Sequence, residues 1–180
     1  TNPDANSVTS AGGFTYLPVI DPTLSAGSDT DASLDFSGVG SGDAADGSEG
    51  EVTFSVNFTD ASGGAAAGQE ITWSVSNNGS ESVFLVSPEV VEIAAGTTGN
   101  VTTTTGDDGS AAGIFDAEGD KSAGSTSVSI TASTTADNSD GESRELSVSF
   151  SATWDVPVAA ELASVTGEYT LDSTVFLQWA

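Results

Sequence analysis

Val52-Thr53-Phe54-Ser55-Val56-Asn57-Phe58 alternates a large apolar residue with a polar one, without a break. Period two belongs to a β-strand, whose successive side chains point to opposite faces. A helix would need apolar residues three and four apart. The stretch therefore has one face for a core and one for water. The pattern recurs on both sides of it. Ile71, Trp73 and Val75 alternate with Thr72 and Ser74, and Val128, Ile130 and Ala132 alternate with Ser and Thr. Leu146, Val148, Phe150, Ala152 and Trp154 form another stripe, and Tyr169, Leu171, Val175, Leu177 and Trp179 a last one, read as a single strand. Nowhere do apolar residues keep helical spacing over a dozen positions.

Turn-forming clusters separate the stripes: Gly47-Ser48-Glu49-Gly50, Ser62-Gly63-Gly64, Asn77-Asn78-Gly79, Gly106-Asp107-Asp108-Gly109 and Asp137-Asn138-Ser139-Asp140-Gly141. Short strands at this spacing fit two packed sheets better than a barrel. The expected fold is all-β, an antiparallel β-sandwich with extra N- and C-terminal strands. Residues 1–24 read as an extension carrying the apolar run Phe14–Ile20, which Pro18 confines to an edge or a bulge. Residues 25–50 read as a Gly/Ser/Asp-rich linker or loop with a weak strand at Leu34–Val39, and residues 51–180 as the sandwich domain. Glu81–Gly99 reads as a long loop.

The chain has 180 residues, 27 of them acidic and 2 basic, for a formal charge of −25. Phosphate backbones are bound through Lys and Arg that displace counterions, so a nucleic-acid partner is excluded. The same charge repels anionic membrane surfaces and opposes compaction unless salt or cations screen it. No apolar run reaches the ~18 residues of a membrane span. A chain that starts at Thr1 and lacks Met is expected to have lost a leader, which points to an extracellular or cell-surface protein.

Val52–Phe58, Ala67-Gly68-Gln69-Glu70-Ile71-Thr72-Trp73-Ser74-Val75, the turn Thr105-Gly106-Asp107-Asp108-Gly109-Ser110-Ala111, and Thr126–Ser133 together carry, over roughly residues 50 to 135, a resemblance to the bacterial immunoglobulin-like repeats of invasin-type adhesins. It implies an immunoglobulin-like sandwich in a surface protein. The extra strands at both ends and the long loop at 81–99 depart from a plain tandem repeat.

The residue inventory argues against catalysis. The chain has no His and no Cys, so it can build neither a Ser-His-Asp triad nor a thiol nucleophile. Two carboxylates can hydrolyse a glycoside, but no pair stands out among so many. Zinc, copper and haem iron lack their usual ligands, whereas calcium needs only oxygens. Candidate calcium ligands are Asp116, Glu118 and Asp120, then Asp137 and Asp140, with a third cluster at Asp29, Asp31 and Asp35. Taken singly, each cluster reads better as a solvated acidic loop tip. Asn57, Asn78 and Asn100 head Asn-x-Ser/Thr sequons and are candidates for glycosylation. Trp73, Trp154 and Trp179 read as core residues, with a sugar-stacking platform as the alternative.

Two non-enzymatic classes remain. One is an extracellular structural subunit that assembles with copies of itself into a filament, tube or coat. Its assembly strand would be Phe14, Tyr16, Leu17, Val19 and Ile20, filling a neighbour's sheet. A chain whose last stripe stops one residue from its end is expected to be a complete subunit. The other class is an immunoglobulin-like adhesin or binding module on a cell or virion. The same apolar run can also pair within its own domain.

Overall fold

The computed structural model describes residues 12, 17–35, 50–117, 124–156, 166–169 and 175–178. Every described element is a strand. In chain order they are β1 (Thr23–Ala26), β2 (Asp31–Asp35), β3 (Val52–Thr59), β4 (Glu70–Asn77), β5 (Val83–Ser87) and β6 (Val91–Ile93). There follow β7 (Thr98–Thr104), β8 (Ser110–Ala117), β9 (Gly124–Asp137), β10 (Ser143–Val156), β11 (Thr166–Tyr169) and β12 (Val175–Gln178). Two five-stranded sheets form a sandwich, one in the order β1-β3-β8-β5-β6 and the other β2-β10-β9-β4-β7. The all-β sandwich expected from the alternating stripes, immunoglobulin-like as the resemblance implies, is the fold. Its pairs are antiparallel except one: β2 runs parallel to β10, with Leu34 opposite Trp154, so the second sheet is mixed.

The alternation sets the core. Val52, Phe54, Val56 and Phe58 on β3 are buried, as are Ile71, Trp73 and Val75 on β4, while the residues between them face outward or lie half-buried. Four aromatic rings join the sheets. Phe54 and Phe115 come from one sheet, Trp73 and Phe150 from the other. Their centroids lie 4.9 Å apart for Phe54 and Phe150, and 6.0 Å apart for Trp73 with Phe115 and with Phe150. Such contacts add about 0.5–1.5 kcal/mol each beyond the area they bury. Trp73 Nε1 donates to Thr103 Oγ1 at 2.8 Å and Trp154 Nε1 to the Gly50 carbonyl at 2.6 Å. Both indoles are therefore core residues with satisfied N–H groups; Trp179 lies outside the described residues.

Several expectations need correcting. The stretch read as a long loop from Glu81 to Gly99 contains β5 and β6 and the start of β7. Residues 23–35, largely within the expected linker, supply two sheet edges; of the weak strand expected at Leu34–Val39, Leu34 and Asp35 belong to β2 (Asp31–Asp35), and residues 36–39 lie outside the described residues. The last stripe is a hairpin rather than one strand, with Tyr169 opposite Val175. Between them the sequence Asp172-Ser173 favours a turn over a continuous ladder. Among the described residues no helix is long and apolar enough to cross a membrane.

Candidate functional site

A binding or assembling β-sandwich works through its edges, faces and end loops. The turn after β9 organises one end. Asn138 is buried, and its Oδ1 accepts from the backbone N–H of Asp140 at 3.0 Å and of Glu142 at 2.8 Å. Asn138 Nδ2 also donates to Glu142 Oε2 at 3.3 Å, while Asp137 and Asp140 remain exposed on either side. The same turn holds the N-terminal segment. Ser139 donates its N–H to the Ile20 carbonyl at 2.9 Å, and the Ile20 N–H donates to Ser139 Oγ at 2.9 Å. One residue on, Asp21 pairs with Arg144 at 2.9 Å, and Arg144 also reaches Glu142 at 3.0 Å. The Arg144 hydrogen bond holds the Asp21 carboxyl below its ordinary value and raises the guanidinium in turn.

Upstream of that anchor, residues 17–20 belong to no strand. Leu17 is 82% exposed, Val19 39% and Ile20 44%. Phe14 and Tyr16, the other two members of the expected assembly strand, lie outside the described residues.

The first cluster singled out for calcium is described only in part. Asp116 is buried on β8 opposite Phe84, and Glu118 and Asp120 lie outside the described residues. Among the described residues no three acidic side chains converge into a metal site. The three sequon asparagines are exposed: Asn57 on β3, Asn78 in the turn after β4, and Asn100 on β7.

The turn quoted for the invasin-type resemblance has a definite mechanical role. It carries the chain from β7 in one sheet to β8 in the other. Thr105, buried, gives its N–H to the Gln69 carbonyl at 2.9 Å and its hydroxyl to the Ala66 carbonyl at 2.6 Å. Asp108 Oδ1 accepts from the N–H of Ser110 at 2.9 Å and from its hydroxyl at 2.6 Å, which lowers the carboxyl pKa. Asp60 does the same for Ser62 in the turn after β3.

An open groove of about 440 Å³ crosses the second sheet between Gln69, Thr72, Ser133, Glu145 and Leu146. Its Gln69 amide is already committed to Thr134 Oγ1 at 2.6 Å and the Thr135 carbonyl at 3.1 Å. The Thr134 hydroxyl is spent on the Glu70 carbonyl at 2.6 Å. These groups are bonded within the sheet rather than aimed at a ligand.

The edges differ from one another. Strands β1 and β6 have four and three residues, and β2 carries Asp31 and Asp35. Strand β7 has seven residues, Thr98-Gly99-Asn100-Val101-Thr102-Thr103-Thr104, and no charge. Sequence reasoning passed over it because only Val101 among these is a large apolar residue. The run of β-branched threonines was the available signal.

No family model matches the chain, and no curated protein matches it. Among solved structures, similarity extends to AggA, the major subunit of aggregative adherence fimbriae type I from Escherichia coli. That match has a TM-score of 0.42 at 12% identity and covers 76% of this chain and 96% of that one. A PapD-like domain of human CEP192 matches with a TM-score of 0.36 at 8% identity, covering 88% and 99%. A family 123 glycoside hydrolase from Clostridium perfringens matches with a TM-score of 0.33 at 10% identity, covering 77% of this chain and 27% of the enzyme. At these scores nothing about function rests on the likeness, and the fold class stands on the two sheets themselves.

Proposed function

We propose that this chain is an extracellular, non-catalytic structural subunit that assembles with copies of itself through strand exchange. One observation carries the reading. Leu17, Val19 and Ile20 are exposed apolar side chains in a segment that joins neither sheet, although the chain is held to the sandwich immediately afterwards at Ser139 and Arg144. With Phe14 and Tyr16 the run has five large apolar residues and no charge. An extended segment of this kind gains ladder hydrogen bonds and buries the side chains of one face when it adds to a neighbour's sheet. The absence of His and Cys from the sequence supports a non-catalytic role. The invasin-type resemblance over residues 50 to 135 supports the surface-protein part of this reading. A monomeric adhesin is the competing class.

The test removes residues 1–19 and leaves the Ile20 anchor in place. The full chain should form polymers visible by sedimentation and electron microscopy, and the truncated chain should stay monomeric with an unchanged melt. Polymers of the same form from the truncated chain would refute strand exchange. A full chain that stays monomeric at every concentration and binds a glycan would favour the adhesin. Calcium held by Asp116, Glu118 and Asp120, or by Asp137 and Asp140, remains part of the proposal. EDTA at fixed ionic strength should then lower the melting temperature, and an unchanged melt removes the ion.

A further inference from the structure

Resting on the strand-exchange reading, we infer that the acceptor is the outer edge of β7 in a second copy, and that residues 13–19 pair with it. In an antiparallel ladder alternate residues turn their N–H and C=O toward the partner strand, and the others turn them away. The Asn77 N–H bonds to the Thr97 carbonyl, and the Thr105 N–H to the Gln69 carbonyl. The register between these bonds, with Val75 opposite Gly99 and Ile71 opposite Thr103, makes the odd-numbered residues of β7 face β4. Thr98, Asn100, Thr102 and Thr104 therefore turn their N–H and C=O groups outward. Among the described residues no strand pairs with that side.

Natural edges are blunted by charge, shortness, proline or a covering segment. This one has none of those devices in its own sequence. Residues 93–106 carry no charge at all in a chain of net −25. The other long charge-free stretches are residues 122–136, which include the core of the central strand β9, and residues 5–20, which hold the candidate donor. Two acidic proteins can approach through these surfaces without setting carboxylates against one another.

The donor's proline sets which side can pair. Pro18 has no N–H, so it must sit where the backbone points away from the acceptor. Gly13, Thr15, Leu17 and Val19 then point toward it. An antiparallel register matches these four residues to the four outward residues of β7. The Ile20 N–H, on the same side as Pro18, stays free to keep its bond to Ser139 in its own copy. Paired residues share a sheet face, so Leu17 and Val19 lie on the outer face with the exposed Thr98, Asn100, Thr102 and Thr104, and Phe14, Tyr16 and Pro18 fall on the core-facing side. There Val91 borders Asn100 and Val101 in an apolar seam between β6 and β7, and Val90 beside it is 59% exposed. The aromatic pair would cover that seam.

The test compares the full chain with Thr102→Pro, Thr102→Val and the chain lacking residues 1–19. Thr102→Pro removes an outward N–H that makes no bond to β4, and Thr102→Val keeps it. Both should melt like the parent. Thr102→Val should polymerise normally, whereas Thr102→Pro should not. A synthetic peptide of residues 13–19 should bind the truncated chain and lose about fivefold to tenfold in affinity when Thr102→Pro is added. If Thr102→Pro polymerises like the parent while the truncated chain stays monomeric, β7 is not the acceptor and strand exchange survives. If the truncated chain also polymerises, strand exchange itself falls. If the full chain stays monomeric while the peptide still requires β7, the segment closes on its own copy and the second-copy assignment is overturned.

Discussion

Gly109→Ala should destabilise this protein far more than Gly141→Ala, although both glycines have nearly the same backbone. Their φ values are +74° and +79°, in the left-handed region where a Cβ is disfavoured. That cost, about 1–2 kcal/mol, is common to both. The surroundings differ. A Cβ at Gly141 meets nothing within 4 Å, whereas at Gly109 it would lie 2.5 Å from the Phe58 carbonyl oxygen and 3.1 Å from Ala65 Cβ. Backbone must move to relieve that contact, and overpacking of this sort costs about 1–3 kcal/mol. The movement also threatens the Phe58 N–H bond to the Gly109 carbonyl, 2.9 Å long and worth about 1 kcal/mol net. The totals are about 1–2 kcal/mol for Gly141→Ala and about 3–6 kcal/mol for Gly109→Ala. For a chain of this length that corresponds to about 2–4 °C in Tm per kcal/mol, so roughly 10 °C separates the variants. Calorimetry supplies the shifts, and urea melts with unchanged slope confirm that stability alone has changed. Gly68, at φ +79° with open space around it, is a second control and should behave as Gly141 does. Equal shifts at Gly109 and Gly141 would refute the claim that the Phe58 carbonyl and Ala65 leave no room for a Cβ at this turn.

Asn77 is buried, donates to the Glu81 carbonyl at 2.7 Å and the Ile93 carbonyl at 2.9 Å, and accepts from the Gly79 N–H at 2.9 Å. Asn77→Ala should cost about 2–4 kcal/mol, because it strands buried backbone groups; a cost under about 0.5 kcal/mol in urea melts would contradict the network. The pH response should have two limbs. Asp21, Asp60 and Asp108 have lowered pKa values, so their contribution is complete above the ordinary 3.8 and disappears as pH falls through the lowered values. Self-repulsion acts oppositely, so at low salt Tm should rise from pH 7 toward about pH 5 before falling in acid. In about 1 M salt, where the Debye length is ~3 Å, the rise should vanish. A Tm that falls steadily from pH 7 at low salt would remove repulsion as the governing term.

Residues with strong alternation were legible from the sequence alone. Strands β3, β4, β9 and β10 each carry three or more inward apolar residues, and their register with the core follows from period two. Strands β5 and β6 escaped notice because short strands hold too few residues to show a period. Strand β2 pairs through its backbone, and only Ala32 and Leu34 pack against the core. The candidate donor was visible as an apolar run broken by one proline. Its proposed acceptor was not, since the outward side of an edge strand is set by backbone alternation that no side chain records. The acidic clusters also depended on context. The Asp137–Gly141 turn is built by Asn138, and which polar side chain a turn buries is settled only when the flanking strands fix its backbone. Composition and periodicity thus determined the fold class and the exclusion of His- and Cys-dependent catalysis. Strand order, the parallel edge and the position of the open edge were decided by long-range pairing, which brings together residues more than a hundred positions apart.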